Sequence, residues 1–245
     1  MTKIWAHRGA SGYAPENTME AFALAVEQRA DGVELDVQLT KDQRLVVIHD
    51  ETVDRVSMQH GYVKDFEWKD LCKIPVNRTI PEYKEVFIPS LEEVYQLLKG
   101  SHLTINVELK TSVIWYPKIE EKVLELTKEM GMLERVIFSS FNHASVKKIK
   151  EIEPEAKTGI LYSDILYQAA EYSQKVEADA LHPVFYHRYM EEVWKEYRES
   201  GIPLHIWTVN TEDAMKDLIR EDAAAIITNY PDKARAVREQ IQENR

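Results

Sequence analysis

The sequence predicts a closed (β/α)8 barrel, and two observations support this fold class. Short apolar strands alternate with helical segments from one end of the chain to the other. Eight such strand–helix units fit within the 245 residues, which is the unit count and the size of this barrel. An open doubly wound sheet is the alternative. It usually has fewer units and often a Gly-rich phosphate turn, and the sequence contains no G-x-G-x-x-G pattern.

The first unit starts with a short apolar strand at residues 4–7, which ends in a His-Arg-Gly turn. Either Asn17 or Thr18 offers a side-chain oxygen that can cap the following helix, predicted over residues 19–29.

The second strand, Gly32–Leu39, alternates strictly between apolar and polar residues. Its valines and leucines share one face, whereas Glu34, Asp36 and Gln38 share the other. Residues 46–49 form a further extended segment, which we expect to pair back onto this strand as a hairpin.

Residues 51–89 break the rhythm, with one short helical candidate at 65–73 among prolines and isolated aromatic residues. A long irregular connection in a compact domain is usually a functional lid or evidence against the assignment. We interpret this segment as an inserted subdomain at the active-site rim, within a single domain that spans residues 1–245. Because it follows directly on His49, we expect it to shape substrate choice.

The alternation of strands and helices resumes at Ser90, which can cap the next helix, and continues to the C-terminal end. The remaining strands are predicted at residues 103–109, 136–139, 158–161, 178–181, 203–209 and 224–228. The remaining helices are predicted at residues 91–99, 118–130, 143–152, 167–176, 189–200, 211–219 and 232–242.

Polar residues stand at the C-terminal ends of these strands, where barrels of this class carry their active sites. The residues in these positions are His7, Arg8, Glu34, Asp36, His49, Asp50, Glu108, Lys110, Ser139, Ser140, Phe141, His182, Trp207 and Asn229. We therefore expect side chains from distant parts of the sequence to meet at one mouth of the barrel.

Three carboxylates in this set predict a metal site. The strand at 103–109 repeats the alternation of the second strand and places Glu108 on the same inward face as Glu34 and Asp36. A solvated face is the alternative, but unpaired carboxylates inside a barrel are costly unless a cation meets them. Oxygen ligands suit a hard divalent cation, Ca²⁺, Mg²⁺ or Mn²⁺, rather than zinc.

Two histidines suggest acid–base chemistry. A single histidine at a strand end is more often structural, but His7 and His49 both stand beside a charged neighbour at the same mouth. Asp50 could orient His49 or could be a turn residue. If it orients His49, it helps to keep this imidazole protonated, which favours His49 as the general acid.

The remaining candidates are substrate contacts. Arg8 and Lys110 suit a phosphate or carboxylate group, or they form salt bridges with the neighbouring carboxylates. Trp207 could be a core residue or a wall of the pocket, and Phe141 follows the fourth strand at the same mouth. A divalent cation with Arg8 and Lys110 would attract a phosphodiester and stabilise charge on its phosphorus.

Composition narrows the classes of partner. The chain has 31 basic and 42 acidic residues and a formal charge of −11, which argues against nucleic acids and anionic membranes as partners. Cys72 is the only cysteine, so an internal disulfide is excluded. The N-terminal residues contain no apolar signal core and no transmembrane run occurs, so we expect a cytoplasmic protein.

Several motifs together resemble the glycerophosphodiester phosphodiesterase family. They occur in the order of that family from one end of the chain to the other, and they are His7-Arg8-Gly9, Pro15-Glu16-Asn17-Thr18, Val33-Glu34-Leu35-Asp36-Val37, His49-Asp50, Ile88-Pro89-Ser90-Leu91-Glu92-Glu93, Val107-Glu108-Leu109-Lys110 and Trp207-Thr208-Val209-Asn210. One departure follows His49-Asp50, where Arg55-Val56-Ser57 stands in place of Arg-Thr before a glycine.

The resemblance implies a (β/α)8 barrel with a small insertion after the second strand. It implies metal ligands at Glu34, Asp36 and Glu108, and an acid–base pair at His7 and His49. Arg8 and Lys110 would hold the phosphate. The implied reaction is metal-dependent hydrolysis of small glycerophosphodiesters to sn-glycerol 3-phosphate and an alcohol, as part of glycerol and lipid metabolism. Either water or the neighbouring glycerol hydroxyl could attack first.

Three alternative functions remain to be compared with the sequence. A barrel acting on lipid substrates would need an exposed apolar or basic rim, and the inserted segment contains Phe66, Trp68 and Phe87. A non-catalytic phosphate-binding barrel would lack a ligand or a histidine, and this chain has the full set. A metal-dependent amidohydrolase would need His-x-His at the end of the first strand, where Ala6-His7-Arg8 stands instead.

Overall fold

The structure is a computed structural model that describes residues 1–244. Its strands are Lys3–His7 (β1), Gly32–Leu39 (β2), Leu45–Val47 (β3), Thr104–Leu109 (β4), Val136–Ser140 (β5), Lys157–Tyr162 (β6), Ala180–Pro183 (β7), His205–Ile206 (β8) and Ala225–Thr228 (β9). Its α-helices are Met19–Glu27 (α1), Trp68–Leu71 (α2), Leu91–Leu98 (α3), Ile119–Glu129 (α4), His143–Ile152 (α5), Ala169–Val176 (α6), Glu191–Glu199 (α7), Glu212–Arg220 (α8) and Pro231–Glu243 (α9).

Eight of these strands form a parallel barrel, which confirms the predicted fold class. The hydrogen-bonded order is β7-β6-β5-β4-β2-β1-β9-β8, and parallel bridges at Leu181–Leu204 and Val184–Trp207 join the two ends. The remaining strand, β3, pairs antiparallel with β2 as the predicted hairpin. These bridges close the barrel, in which the first strand pairs with both the second and the last strand.

The alternation along each strand sorts its side chains into two environments. One face packs against the surrounding helices, in two large apolar clusters on opposite sides of the barrel. The other face points into the barrel, where Trp5, Ala225 and Ile227 form a small apolar layer. The polar residues of β2 and β4 continue this inner face towards the C-terminal ends of the strands.

The inserted segment has an apolar core of its own, formed with the hairpin strand, in which Val53, Val63, Leu71 and Val86 are buried. The prediction of one helix over residues 65–73 is wrong, because a short 3-10 turn ends at Asp65 and α2 begins only at Trp68. The helix breaks because Phe66 and Glu67 are extended, and the Phe66 carbonyl accepts a hydrogen bond from the Lys41 amide at 2.9 Å. The division into one domain with an insertion at 51–89 stays a prediction.

Local signals explain where helices start. The Thr18 hydroxyl accepts from the Ala21 amide at 3.2 Å and caps α1, so Thr18, rather than Asn17, is the cap. Ser90 and Glu93 form a capping box at the start of α3. The strand predicted over residues 203–209 is much shorter, because regular pairing covers only His205–Ile206. Within residues 1–244, no helix is long and apolar enough to cross a membrane.

Candidate active site

Neighbouring strands bring the polar side chains of the mouth into register. His7 lies beside Glu34 across β1 and β2, and Asp36 lies beside Glu108 across β2 and β4. These residues are separated by up to a hundred positions in sequence, but parallel pairing places them at the same end of the barrel.

Glu34, Asp36 and Glu108 form a buried acidic cluster. Each offers a carboxylate oxygen, and these oxygens all lie within 4.8 Å of one another. Burial raises the pKa of Glu34 well above its usual value, and the charges of Asp36 and Glu108 raise it further. Burial also raises the pKa of Glu108, although the nearby Lys110 ammonium opposes this effect. The cluster therefore carries more negative charge than its surroundings readily accommodate.

The donor set fits a divalent cation. Among residues 1–244, the buried Oδ1 of Asp36 and Oδ1 of Asn106 have no hydrogen-bond partner, whereas buried polar atoms are nearly always paired. Three carboxylates at this separation supply the oxygen ligands that Mg²⁺ and Ca²⁺ prefer. A cation held there would also oppose the mutual repulsion of the carboxylates.

Two basic side chains border the acidic cluster. The Lys110 ammonium lies 2.8 Å from Glu108 Oε1 and 3.8 Å from Asp36 Oδ1. The Arg8 guanidinium places Nε 3.4 Å from Asp36 Oδ2. Burial alone would raise the pKa of Asp36, but these two cations outweigh it and hold that pKa well below its usual range. Asp36 is therefore an anion in the folded protein.

The chain at Arg8, Gly9 and Asn17 adopts unusual backbone angles. Arg8 and Asn17 have φ values of 53° and 57°, in the left-handed region that non-glycine residues rarely occupy. A Cβ on Gly9, at φ 77°, would lie 2.6 Å from the backbone of Ala21, so only glycine fits. In this conformation the backbone N–H of Arg8 donates to Glu34 Oε2 at 3.0 Å. The side-chain Nδ2 of Asn17 donates to Asp36 Oδ2 at 2.8 Å.

His7 has a defined hydrogen-bond partner on the last strand-to-helix loop. Its Nδ1 lies 2.7 Å from the Asn229 Oδ1, an acceptor, so Nδ1 carries the proton and donates. The unprotonated Nε2 then lies 3.9 Å from Glu34 Oε2. Burial and, secondarily, the Arg8 charge lower the pKa of His7 to about 4.

His49 has a carboxylate partner instead. Its Nδ1 lies 2.6 Å from Asp50 Oδ1, so Asp50 orients the ring and is not merely a turn residue. The partner of His49 is therefore an anionic group, whereas the partner of His7 is a neutral amide. The two histidines therefore sit in electrostatically different surroundings.

A cavity of about 120 Å³ lies at this mouth. Its polar wall contains His7, Arg8, His49, Glu34 and Glu108, and its apolar wall contains Phe141, Trp207, Leu161 and Ile227. Phe141 and Trp207 meet edge to face, with ring centroids 5.4 Å apart. The Trp207 indole nitrogen donates to the His182 carbonyl at 2.7 Å, so Trp207 is both anchored in the barrel and a wall of the cavity.

All nine predicted site residues meet in this region. Seven line the cavity, namely His7, Arg8, Glu34, His49, Glu108, Phe141 and Trp207, while Asp36 and Lys110 contact those residues from behind. His182 does not join them, since it lies fully buried within the barrel with its Nε2 2.9 Å from His205 Nδ1.

Sequence reasoning missed the roles of several polar neighbours. Asn17 was considered only as a helix cap, although its amide binds Asp36. Asn106 lies on the inward face of β4, beside Glu34, and lines the cavity. The alternation of β4 could have identified Asn106, because it shares the face of Glu108. No sequence signal indicated that Glu16 accepts a hydrogen bond from Arg8 at 2.8 Å.

The barrel and this site define a class of protein: a (β/α)8 hydrolase whose mouth combines an acidic cluster, two histidines and two cations. A family model described as the glycerophosphoryl diester phosphodiesterase family matches residues 7–233, and the chain belongs to this family. The enzyme class is accordingly that of the glycerophosphodiester phosphodiesterases.

Individual relatives agree with this assignment. A glycerophosphodiester phosphodiesterase of Caldanaerobacter subterraneus subsp. tengcongensis is 42% identical over 94% of this chain and 95% of the relative. One from Bacillus altitudinis is 39% identical over 99% of this chain and the whole relative. An Oleispira antarctica phosphodiesterase, solved with the product sn-glycerol-3-phosphate, superposes with a TM-score of 0.84 at 25% identity, covering 98% of this chain and 97% of that structure.

Proposed function

We propose that this enzyme hydrolyses glycerophosphodiesters to sn-glycerol 3-phosphate and an alcohol, with a divalent cation and a pair of histidines. The observation that carries this proposal is the buried cluster of Glu34, Asp36 and Glu108, flanked by His7 and His49 at one mouth. The product bound to the Oleispira antarctica phosphodiesterase supports the same product here.

Glu34, Asp36 and Glu108 would hold the cation, Ca²⁺ or Mg²⁺, with Mn²⁺ as a further candidate. When bound, such a cation supplies positive charge that polarises a phosphoryl oxygen. Arg8 lines the cavity and Lys110 lies against the same acidic cluster, and in this proposal both cations hold the phosphate. Their fixed charges stabilise the negative charge that develops on the phosphoryl group during attack.

His7 is the general base in this proposal. The Asn229 acceptor keeps the proton on Nδ1 and leaves the Nε2 lone pair free at the cavity. That nitrogen can take a proton from the attacking hydroxyl, whether it belongs to water or to the neighbouring glycerol hydroxyl.

His49 is the general acid. Asp50 accepts from its Nδ1 and orients the ring, and the charged ring would give its Nε2 proton to the departing alkoxide. The proton that His7 removes and the proton that His49 donates balance the addition of water across the bond between phosphorus and the alcohol oxygen. Phe141 and Trp207 form the wall that faces the organic part of the substrate.

A panel assay tests the proposal. Purified enzyme is incubated with glycerophosphodiesters of different alcohols, and release of glycerol 3-phosphate is measured with and without a chelator. We expect hydrolysis that chelation abolishes and that added divalent cation restores. Full activity of metal-free enzyme would show that the metal assignment is wrong.

A pair of variants tests the ligands themselves. Glu108→Gln should weaken metal binding, measured by calorimetry with Mn²⁺, together with turnover, because it removes one charged ligand. Glu120→Gln is the matched control, since Glu120 is also a buried glutamate beside a lysine, with its Oε2 3.2 Å from the Lys148 ammonium. Glu120 lies on α4, outside the acidic cluster. We expect the control to bind the cation as the wild type does.

A further inference from the structure

Arg55 joins the two loops that follow the catalytic histidines. It lies in the inserted segment, and its guanidinium contacts two carboxylates at once. Toward Asp50, Nε donates to Oδ2 at 2.6 Å and Nη2 donates to Oδ1 at 3.1 Å. Toward Glu16, Nη1 donates to Oε2 at 2.7 Å and Nη2 donates to Oε1 at 2.8 Å. Both contacts are bidentate, the arrangement in which arginine fixes a carboxylate most firmly.

Each of these carboxylates holds a residue of the active site. Asp50 Oδ1 lies 2.6 Å from His49 Nδ1. Glu16 Oε1 accepts from Arg8 Nη1 at 2.8 Å. A continuous chain of hydrogen bonds therefore runs from the imidazole of His49 through Arg55 to the guanidinium of Arg8.

We propose that Arg55 is a positioning residue, which sets the orientation of His49 through Asp50 and that of Arg8 through Glu16. This inference rests on the proposed function, since it depends on the roles proposed there for His49 and Arg8. It also gives the inserted segment a direct connection to the chemistry, although the side chain of Arg55 does not line the cavity.

Orientation, rather than ion-pair energy, is the contribution that the geometry supports. The Arg55 side chain is 42% exposed, so its charge is screened by solvent and each ion pair contributes little to stability. The planar fork, in contrast, restricts the rotation of both carboxylates. Without it, Asp50 could turn away from the imidazole, and Glu16 would have only Arg8 as its partner.

Kinetics give the first test. We expect Arg55→Ala to lower kcat on a glycerophosphodiester by about 10- to 100-fold, the range typical of groups that orient a catalytic residue. Arg55→Lys should recover only part of this loss, because a single ammonium cannot reproduce two bidentate contacts. Arg44→Ala is the control: Arg44 is 43% exposed and pairs with one carboxylate, Glu92, at 2.5 Å. We expect it to keep wild-type kcat.

A double-mutant cycle tests the route through Asp50. If Arg55 acts through this carboxylate, Arg55→Ala should cost less in an Asp50→Asn background than in the wild type. Equal losses in both backgrounds would overturn this route.

Nuclear magnetic resonance gives a readout that does not depend on activity. Long-range ¹H–¹⁵N spectra report which imidazole nitrogen carries the proton, and the His49 signal is assigned with His49→Gln. The spectra are recorded at a pH high enough to keep the imidazole neutral. Under these conditions we expect a single Nδ1-protonated pattern in the wild type and in Arg44→Ala, and exchange between tautomers in Arg55→Ala. The spectra also establish that each variant is folded.

The two proposals fail in different ways. A wild type that releases no glycerol 3-phosphate from any substrate refutes the proposed function. In that case the spectra alone show whether Arg55 fixes the orientation of His49. A wild type that is active, with Arg55→Ala within about twofold of the control in kcat and an unchanged His49 pattern, overturns the positioning role.

Discussion

At the scale of single residues, the two histidines of the mouth differ in the group that each one contacts. His7 donates to a neutral amide oxygen of Asn229, whereas His49 contacts the carboxylate of Asp50. The hydrogen bond to Asn229 raises the pKa of His7, but burial and the Arg8 charge outweigh it and keep the ring neutral. His49, in contrast, has a carboxylate directly against its Nδ1. This difference supports the proposed assignment of the base to His7 and the acid to His49.

The division of proton work can be tested with leaving groups. A p-nitrophenolate leaving group needs no proton, so it makes the general acid dispensable but not the base. We expect His7→Ala and His49→Ala each to lose about 100-fold or more in kcat on an alkyl glycerophosphodiester. On an activated aryl diester, measured by phenolate absorbance, only His49→Ala should recover strongly.

The exposed His102 provides a control for that comparison, and His102→Ala should behave as the wild type on both substrates. Recovery of His7→Ala instead would reverse the assignment. If neither variant recovers, the histidines do not divide the proton transfers, and phosphate binding would have to explain why both are needed.

At the scale of elements, the cavity walls come from the barrel strands and their loops rather than from the inserted segment. Among residues 1–244, the cavity is lined on its apolar side by Phe141 after β5, Leu161 on β6 and Trp207 after β8, and by no residue of 51–89. The expectation that the insertion shapes substrate choice stays a prediction. The lining of the cavity adds the loop after β5 as a second candidate, since Phe141 in this loop is 36% exposed and faces an adjoining groove that contains Trp115.

We therefore predict that Phe141→Ala changes the ratio of kcat/KM values between glycerophosphodiesters with small and with bulky alcohols. The reason is that truncation removes part of the apolar wall of the cavity, which in the proposed function faces the alcohol rather than the phosphate. Leu71→Ala is the contrasting variant, since Leu71 is fully buried in the core of the insertion. It should lower the free energy of unfolding by about 2–5 kcal/mol and leave the substrate ratio unchanged. A ratio altered by Leu71→Ala and not by Phe141→Ala would contradict this prediction.

At the scale of the whole molecule, the interior of the barrel below the site is closely packed around two glycines. Gly32 makes room for Trp5, because a Cβ there would lie 2.6 Å from the Trp5 ring. Gly159 makes room for His182, whose Nε2 would lie 2.2 Å from an added Cβ. Burial lowers the pKa of His182 well below its usual value and lowers that of its neighbour His205 to about 4, so this pair is neutral in the folded protein.

We predict that Gly159→Ala destabilises the barrel by about 1–3 kcal/mol, the usual cost of overpacking, because the buried His182 ring must move. Chemical denaturation measures this change. Gly100→Ala is the control, since within residues 1–244 an added Cβ at Gly100 meets no atom within 4 Å apart from its chain neighbours. We expect it to change stability by about 0.5 kcal/mol or less. Equal stability of the two variants would show that the interior adapts to the added methyl group.

The sequence was sufficient for the fold class and for most of the site, for identifiable reasons. Strict alternation along β2 and β4 placed Glu34, Asp36 and Glu108 on one face. The rule that parallel barrels gather strand ends at one mouth then brought them together with His7 and His49. Periodicity and strand direction are properties of short segments, so they can be read without knowing the rest of the molecule.

Only the tertiary structure decided how these groups are connected. The contact between His7 and Asn229 spans 222 positions and exists because β1 pairs with the last strand when the barrel closes. The bond from Arg55 to Glu16 joins separate loops across the same mouth. His182 is a converse case. Its position near a strand end predicted that it lies at the mouth of the barrel, but it packs inside the barrel against His205. Alternation specifies the face on which a side chain lies, whereas its depth along the barrel axis and its partners depend on barrel stagger and long-range packing.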